Sequence, residues 1–253
     1  MLALLFCIVC LTYTWGGLLL LRPLVRKWLG PQPDANDFVS YFLSAYGVFY
    51  GLMLGLIAVA TYQNFADAEK AVGKEATAIA ALYRDLSNYP EPARATLEGG
   101  MRDYVRFLID EAWPEQRQGR LHAGGTVRIS DLHQKLLSFT PASRTQEILH
   151  AETLRQFNSF LEARYARLQS VSTSLSGVLW WVVCLGAALN FSLLWLFSME
   201  RLALHIVLSG ILATFVGLML FFIAAMDNPF RGEESVSPEA LKLIQERLMP
   251  SPR

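Results

Sequence analysis

Residues 38–86 read FVSYFLSAYGVFYGLMLGLIAVATYQNFADAEKAVGKEATAIAALYRDL, and the fold follows from how this stretch changes character along its length. From Phe38 to Ala66 it carries no charge, which suffices to cross a hydrocarbon core ~30 Å thick at ~1.5 Å per residue. Beyond Ala66 the charges Asp67, Glu69, Lys70, Lys74 and Glu75 arrive, yet the pattern stays helical to Leu86. Asn88, Pro90 and Pro92 then stop it. The spacing predicts one helix of about fifty residues, ~75 Å long, half in lipid and half in water. In its outer half Phe65, Ala68, Val72, Ile79, Leu82 and Leu86 keep a seven-residue seam that Glu75 interrupts.

Three further runs free of charge, Met1 to Leu21, Leu168 to Met199 and Leu202 to Met226, complete two pairs of spans around a polar block. The first run has no basic leader and is followed by Arg22, Arg26 and Lys27 in place of a small-residue cleavage site, so it reads as a membrane helix. Leu154, Phe157, Leu161, Leu168, Val171 and Leu175 form a seam predicted to carry the return helix straight into the third span, with Arg164 its one polar break. Between the long helices, Leu97 to Ala112 forms an amphipathic helix expected to end at Trp113-Pro114, and Val127 to Phe139 forms a second. No strand-like alternation appears. The fold class is all-α: an integral membrane protein with four transmembrane helices, two of them extending into a helical soluble headpiece. Its parts are residues 1–66 (spans 1 and 2), 67–167 (headpiece), 168–226 (spans 3 and 4) and 227–253 (a turn and a short helix).

Of the residues 53% are apolar, 17% are charged and the net charge is zero, so nothing points to nucleic acid. Cys7, Cys10 and Cys184 all lie in apolar runs and act there as small hydrophobes. The spans contain no Asp, Glu, Lys or Arg, only the polar Asn190 and His205, which argues against a proton pump or ion-coupled transporter. Glu147 and His150 form half of a di-iron motif with no second half, and His122, Asp131 and His133 match no zinc spacing. No catalytic residues and no bound metal are expected. Lys70, Lys74, Arg155, Arg164, Arg167, Arg231 and Lys242 on one side outnumber Arg22, Arg26, Lys27 and Arg201 on the other. That asymmetry places the headpiece and both termini in the cytoplasm, with the spans in the cell membrane, the inner one if the source is bacterial.

Two constellations are candidates for function. Gly47, Gly51 and Gly55 recur every fourth residue on the second span, with Ser44 and Ala58 close to the same face. Such a stripe serves either helix packing within one subunit or packing of this span around an oligomer axis, where it walls a narrow conduit. Asp67, Glu69 and Glu75 follow at the membrane exit as candidate pore-exit charges. The second constellation is the turn Asp227-Asn228-Pro229-Phe230-Arg231-Gly232-Glu233-Glu234, read either as a solvated helix end or as oxygens for a hard cation. Ser237 is expected to cap a final helix with Pro238 at its first position and Leu241, Ile244 and Leu248 on its apolar face.

The Pro229-Phe230-Arg231-Gly232 turn, Val236-Ser237-Pro238, the Glu75 to Tyr83 stretch and Tyr104 through Glu111-Ala112-Trp113-Pro114 resemble the bestrophin-like domain family over almost the whole chain. Bestrophins proper are pentameric anion channels whose second membrane helix lines the pore. An Asn-Pro-Phe-Gly turn followed by acidic residues contributes to their calcium binding. Here Asn228-Pro229-Phe230 matches, but Arg231 intervenes before Gly232 and only Glu233 and Glu234 follow. The resemblance implies a homo-oligomeric, pentameric channel for inorganic ions in a lipid membrane, with the second span lining the pore and with Asp227, Asn228, Glu233 and Glu234 as the only calcium candidates. Family analogy favours anions, whereas Asp67, Glu69 and Glu75 favour cations. The alternative is a membrane-anchored scaffold or sensor whose headpiece binds partners without any conduit.

Overall fold

The computed structural model describes residues 2–29, 34–232 and 235–250. Every regular element among them is helical: α1 (Leu2–Trp28), α2 (Ala35–Leu86), α3 (Ala93–Phe107), a π-turn (Leu108–Ala112), α4 (Trp113–Gln116), α5 (Gly124–Leu137), α6 (Arg144–Val171), α7 (Gly177–Trp195), α8 (Leu202–Asp227) and α9 (Glu239–Leu248). Four of them, α1, α2, α7 and α8, are long and apolar enough to cross a membrane. The chain divides into two compact units: a membrane unit of the residues up to Gln63 with Ser174–Asp227, and a soluble unit of Asn64–Thr173 with the residues from Asn228 on. The helix α2 is continuous through both, as its unbroken pattern predicts.

Four expectations need correction. The return helix does not run into the third span, because α6 ends at Val171 and α7 begins at Gly177. The intervening Ser172-Thr173-Ser174-Leu175-Ser176 is rich in hydroxyls that compete for backbone acceptors, and the side chains of Ser172 and Thr173 both donate to the Gln169 carbonyl. Helix α1 continues past Leu21 to Trp28 with Pro23 inside it, so charge ended the apolar run without ending the helix. Trp113-Pro114 does not end α3. The chain widens into the π-turn, the Trp113 N–H reaches the Leu108 carbonyl, and Pro114 falls in the first turn of α4, where its missing donor costs nothing. Ser237 does not cap α9; Pro238 is its cap residue, and no side-chain hydrogen bond closes that end.

The membrane unit is closed by small residues other than those singled out in the sequence. A Cβ on Gly217 of α8 would lie 3.1 Å from the Cys7 Cα, so α1 and α8 approach backbone to backbone there. The Tyr50 ring occupies the space beside Gly186 of α7, and its hydroxyl donates to the Val183 carbonyl at 3.0 Å. The Tyr46 hydroxyl makes the equivalent bond to Gly186 at 2.9 Å. Leu54, Ile57, Ala58, Val183, Phe191, Val216 and Leu220 fill the interior. At one end of this unit Arg22 and Arg26 donate to the Glu200 carbonyl, and Asn36 exchanges two hydrogen bonds with Ser198. The end of α1, the start of α2 and the α7–α8 connection therefore share one side of this unit.

The soluble unit has its own core. The seam of α2 (Ala68, Val72, Ile79, Leu82, Leu86) meets Met101, Tyr104 and Val105 of α3, Leu132 and Leu136 of α5, and Phe157 and Phe160 of α6. Leu241 of α9 is fully buried in the same cluster, with Ile244 and Leu248 packed against it, as the apolar face of that helix predicts. Phe230, in the turn after α8, is buried with its ring 5.5 Å from that of Trp113.

Candidate functional site

Within the membrane unit α2 is seated by one face only. Tyr50, Leu54, Ile57, Ala58 and Thr61 are buried, whereas Phe42, Val48, Phe49, Leu52, Leu56 and Val59 are exposed. The glycine stripe belongs to the uncovered side: a Cβ added at Gly47, Gly51 or Gly55 would meet nothing within 4 Å. Ser44 is likewise exposed. Of the two readings of this stripe, packing within one subunit does not hold for the three glycines; it does hold for Ala58, which is buried in the interior of the unit. The result is a strip of bare backbone flanked by apolar side chains on a helix able to span the membrane.

The acidic residues that follow on α2 divide. Asp67 is exposed and paired with Lys70 at 3.1 Å, and Glu69 is exposed. Glu75 is not a pore-exit charge. Its side chain is 0% exposed, and its carboxylate pairs with the buried Arg167 of α6 and accepts the Tyr104 hydroxyl at 2.8 Å. Gln116 accepts a further bond from Arg167 Nη1 at 2.6 Å. Burial opposes the Arg167 cation, but Glu75 and Tyr104 outweigh it and hold the guanidinium above its ordinary value. Burial, reinforced by the Glu75 charge, pushes the Tyr104 hydroxyl far above the usual phenol range, so it remains a donor. Periodicity marked Glu75 only as an interruption of the seam. Arg167, three residues from the expected break at Arg164, is the partner that explains it.

At the other candidate, Asp227 ends α8 with its carboxylate turned to protein donors: the Leu175 backbone N–H and the Trp180 indole N–H at 3.0 Å. Beyond it, the Arg231 N–H bonds to the Asn228 carbonyl at 2.9 Å and the Val236 N–H to the Pro229 carbonyl at 2.8 Å. The turn closes through Gly232 at φ +88°. Glu233 and Glu234 lie outside the described residues. Calcium takes about six to eight oxygens. Asp227 accepts from these two N–H groups, and no three His, Cys, Asp or Glu side chains gather among the described residues. The four histidines have structural partners: the Tyr89 hydroxyl for His150, the Gly124 N–H for His122, the Phe157 ring for His133 and the Leu194 carbonyl for His205.

Four apolar helices able to span a bilayer, the second prolonged into an all-helical soluble unit, define the class as an all-α membrane protein. The chain belongs to the Bestrophin-like domain family, whose model matches residues 12–241. No curated protein matches it. Among solved structures, a bacterial Bestrophin homolog from Klebsiella pneumoniae, in a leucine-to-threonine variant, is similar over 98% of this chain and 97% of that one, at 13% identity and TM-score 0.70. A tryptophan-to-alanine variant of the Klebsiella pneumoniae homolog gives 14% identity and TM-score 0.72 over 97% and 96%. A proline-to-alanine variant described as a membrane protein gives 14% and 0.66 over 97% and 96%. At these identities the likeness establishes a shared fold.

Proposed function

We propose that the protein is a homo-oligomeric ion channel in which copies of α2 surround a central axis, in the pentameric form the family resemblance implies. The observation that carries this reading is the uncovered strip of Ser44, Gly47, Gly51 and Gly55 on a membrane-spanning helix. No described residue comes within 4 Å of a Cβ added at any of its three glycines, and bare backbone permits close approach of a neighbouring helix or a narrow lumen. The wall so formed is apolar, so selectivity arises from ion dehydration at its constrictions and from the exposed Asp67 and Glu69 beyond. The soluble unit and both termini lie in the cytoplasm on this reading, which the excess of basic residues on that side supports.

The test is ion flux from liposomes holding the purified protein, under potassium and then chloride gradients, with the oligomer mass measured in the same detergent. Selective flux from a ring of several copies supports the channel. A tight barrier around a folded monomer or dimer would sink it.

One observation favours a second reading, a membrane-anchored scaffold. In the soluble unit α2 and α6 flank an open groove of about 810 Å³ floored by Gly73, Ala78, Ala81, Ala163 and Ala166, with Lys70 and Lys74 at its edge. A partner helix fits such a floor of small residues.

A further inference from the structure

The soluble unit buries two guanidinium groups three residues apart on α6, Arg164 and Arg167, against one carboxylate, Glu75. Glu75 is fully engaged: Arg167 takes both oxygens, one of them from Nη2 at 3.4 Å, and Tyr104 bonds to Oε1. Arg164 is 5% exposed and has no carboxylate within ion-pair distance among the described residues. Its hydrogen bond is a neutral one, from Nη2 to the Thr126 Oγ1 at 3.2 Å, and its buried Nε has no acceptor. A buried cation is rarely left in that condition, because one neutral hydroxyl and the Tyr165 ring, its centroid 5.9 Å from Cζ, replace only part of the water it has lost.

What faces Arg164 sharpens the point. Its Nη2 lies 3.3 Å from where a Cβ on Gly125 would stand, so the guanidinium abuts the first turn of α5. No side chain of the cap residue Ala123 closes that end. His122 Nδ1 takes the Gly124 N–H at 3.0 Å and the Ala123 carbonyl takes the Thr126 N–H at 3.1 Å, while the Gly125 N–H has no acceptor among the described residues. The positive end of a fourteen-residue helix therefore meets an uncompensated cation. Arg128 adds no relief, being a further cation already paired with Asp103 at 2.9 Å.

We propose that Arg164 and the first turn of α5 form a binding site for a small inorganic anion of the chloride class, which supplies the missing countercharge. The donors it would engage are Arg164 Nε, which has no acceptor, with the Gly125 N–H and the Thr126 hydroxyl, on the two residues that the guanidinium abuts through Nη2. Gly125 is what lets the guanidinium come so close, since any Cβ there would press on Nη2. The rings of Phe107 and Tyr104 pack 3.3 Å and 3.8 Å from the same point, so the surroundings are crowded and favour a monatomic ion over an organic anion. Thr126 is exposed and gives the site its opening to solvent. All of its residues belong to the soluble unit, and the proposal does not depend on whether the protein conducts.

The experiment is thermal unfolding of the full-length protein in detergent, in sodium chloride, bromide or gluconate at constant ionic strength, with anomalous diffraction from crystals grown in bromide. The expected result is a melting temperature that rises saturably with chloride or bromide but not with gluconate, and a bromide peak within hydrogen-bond reach of Arg164 Nε. Arg164→Gln removes the saturable rise without lowering the melting temperature in gluconate, where the cation was uncompensated. Thr126→Val leaves the buried core intact and raises the half-saturating concentration several-fold. Equal melting temperatures in all three salts, a rise undiminished in both variants, or no bromide peak at Arg164 would overturn the proposal.

Discussion

Glu75 of α2 and Arg167 of α6, ninety-two positions apart, form an ion pair whose side chains are 0% and 1% exposed. Desolvating two charges opposes folding, and the pair is tolerable because Tyr104 and Gln116 complete its hydrogen bonding. Removing one partner strands the other in the core. Glu75→Gln or Arg167→Gln should therefore destabilise the protein by about 3–5 kcal/mol, whereas Glu75→Leu with Arg167→Met should recover most of that loss. Denaturant unfolding of the three variants decides it, and a single variant within about 0.5 kcal/mol of the parent would refute the coupling.

The glycines of the membrane unit should separate into two groups. A Cβ on Gly186 would stand 2.4 Å from the Tyr50 ring, and one on Gly17 would fall even closer to Trp195, so alanine at either position displaces a packed aromatic side chain. Alanine at Gly186 should cost about 1–3 kcal/mol by overpacking. At Gly51 nothing within 4 Å receives the new carbon, so Gly51→Val should leave the monomer's fold unchanged while reducing flux or assembly. Helicity and melting temperature serve as the control, with ion flux and oligomer mass as the readout. Loss of fold at Gly51, or unaltered flux from an intact oligomer, would remove the α2 strip from the conduit.

Acid should weaken the soluble unit through His150. Burial holds its imidazole below the ordinary value of 6.5, and Nδ1 meets the Tyr89 hydroxyl at 2.8 Å. With the folded value below the unfolded one, the unfolded chain binds more protons in the interval between them, so stability rises with pH across that interval. The contribution is complete above 6.5 and is lost as pH falls toward the depressed folded value. Melting temperatures taken between about pH 5 and 8 should fall on the acid side, and His150→Gln should flatten that arm. Parallel profiles for the two proteins would exclude His150 as the cause.

How far the sequence led depends on the kind of signal. The long helix α2 was legible because charge-free length and heptad spacing survive without any knowledge of neighbours. The break between α6 and α7 was not, since Leu168, Val171 and Leu175 keep helical spacing across it while the hydroxyls at Ser172 and Thr173 turn the backbone aside. The glycine stripe at Gly47, Gly51 and Gly55 stood out by its period. Gly186 and Gly217, which the packing requires, have no period and are recognised only by the Tyr50 ring and the Cys7 backbone against them. Glu75 looked like a pore charge because burial is a property of the partner helix, and Arg167 lies too far along the chain for spacing to connect the two.

Asp227, one of the cation candidates in the sequence, accepts two N–H groups in the fold. Its carboxylate receives the Leu175 backbone N–H, just ahead of α7, and the Trp180 indole, so the end of α8 is tied to the start of α7 within the membrane unit. The break after α6 frees those backbone donors, and an ionised acceptor is the strongest available remedy. Asp227→Asn keeps the size but exchanges one acceptor oxygen for an amide donor facing an N–H group. That change should cost about 1–3 kcal/mol. Asp227→Ala should cost at least as much and should blue-shift the fluorescence of Trp180 as its indole loses a charged partner. Calcium added to the parent protein should leave the melting temperature where it was. A calcium-dependent rise that vanished in Asp227→Asn would return this carboxylate to the role of metal ligand.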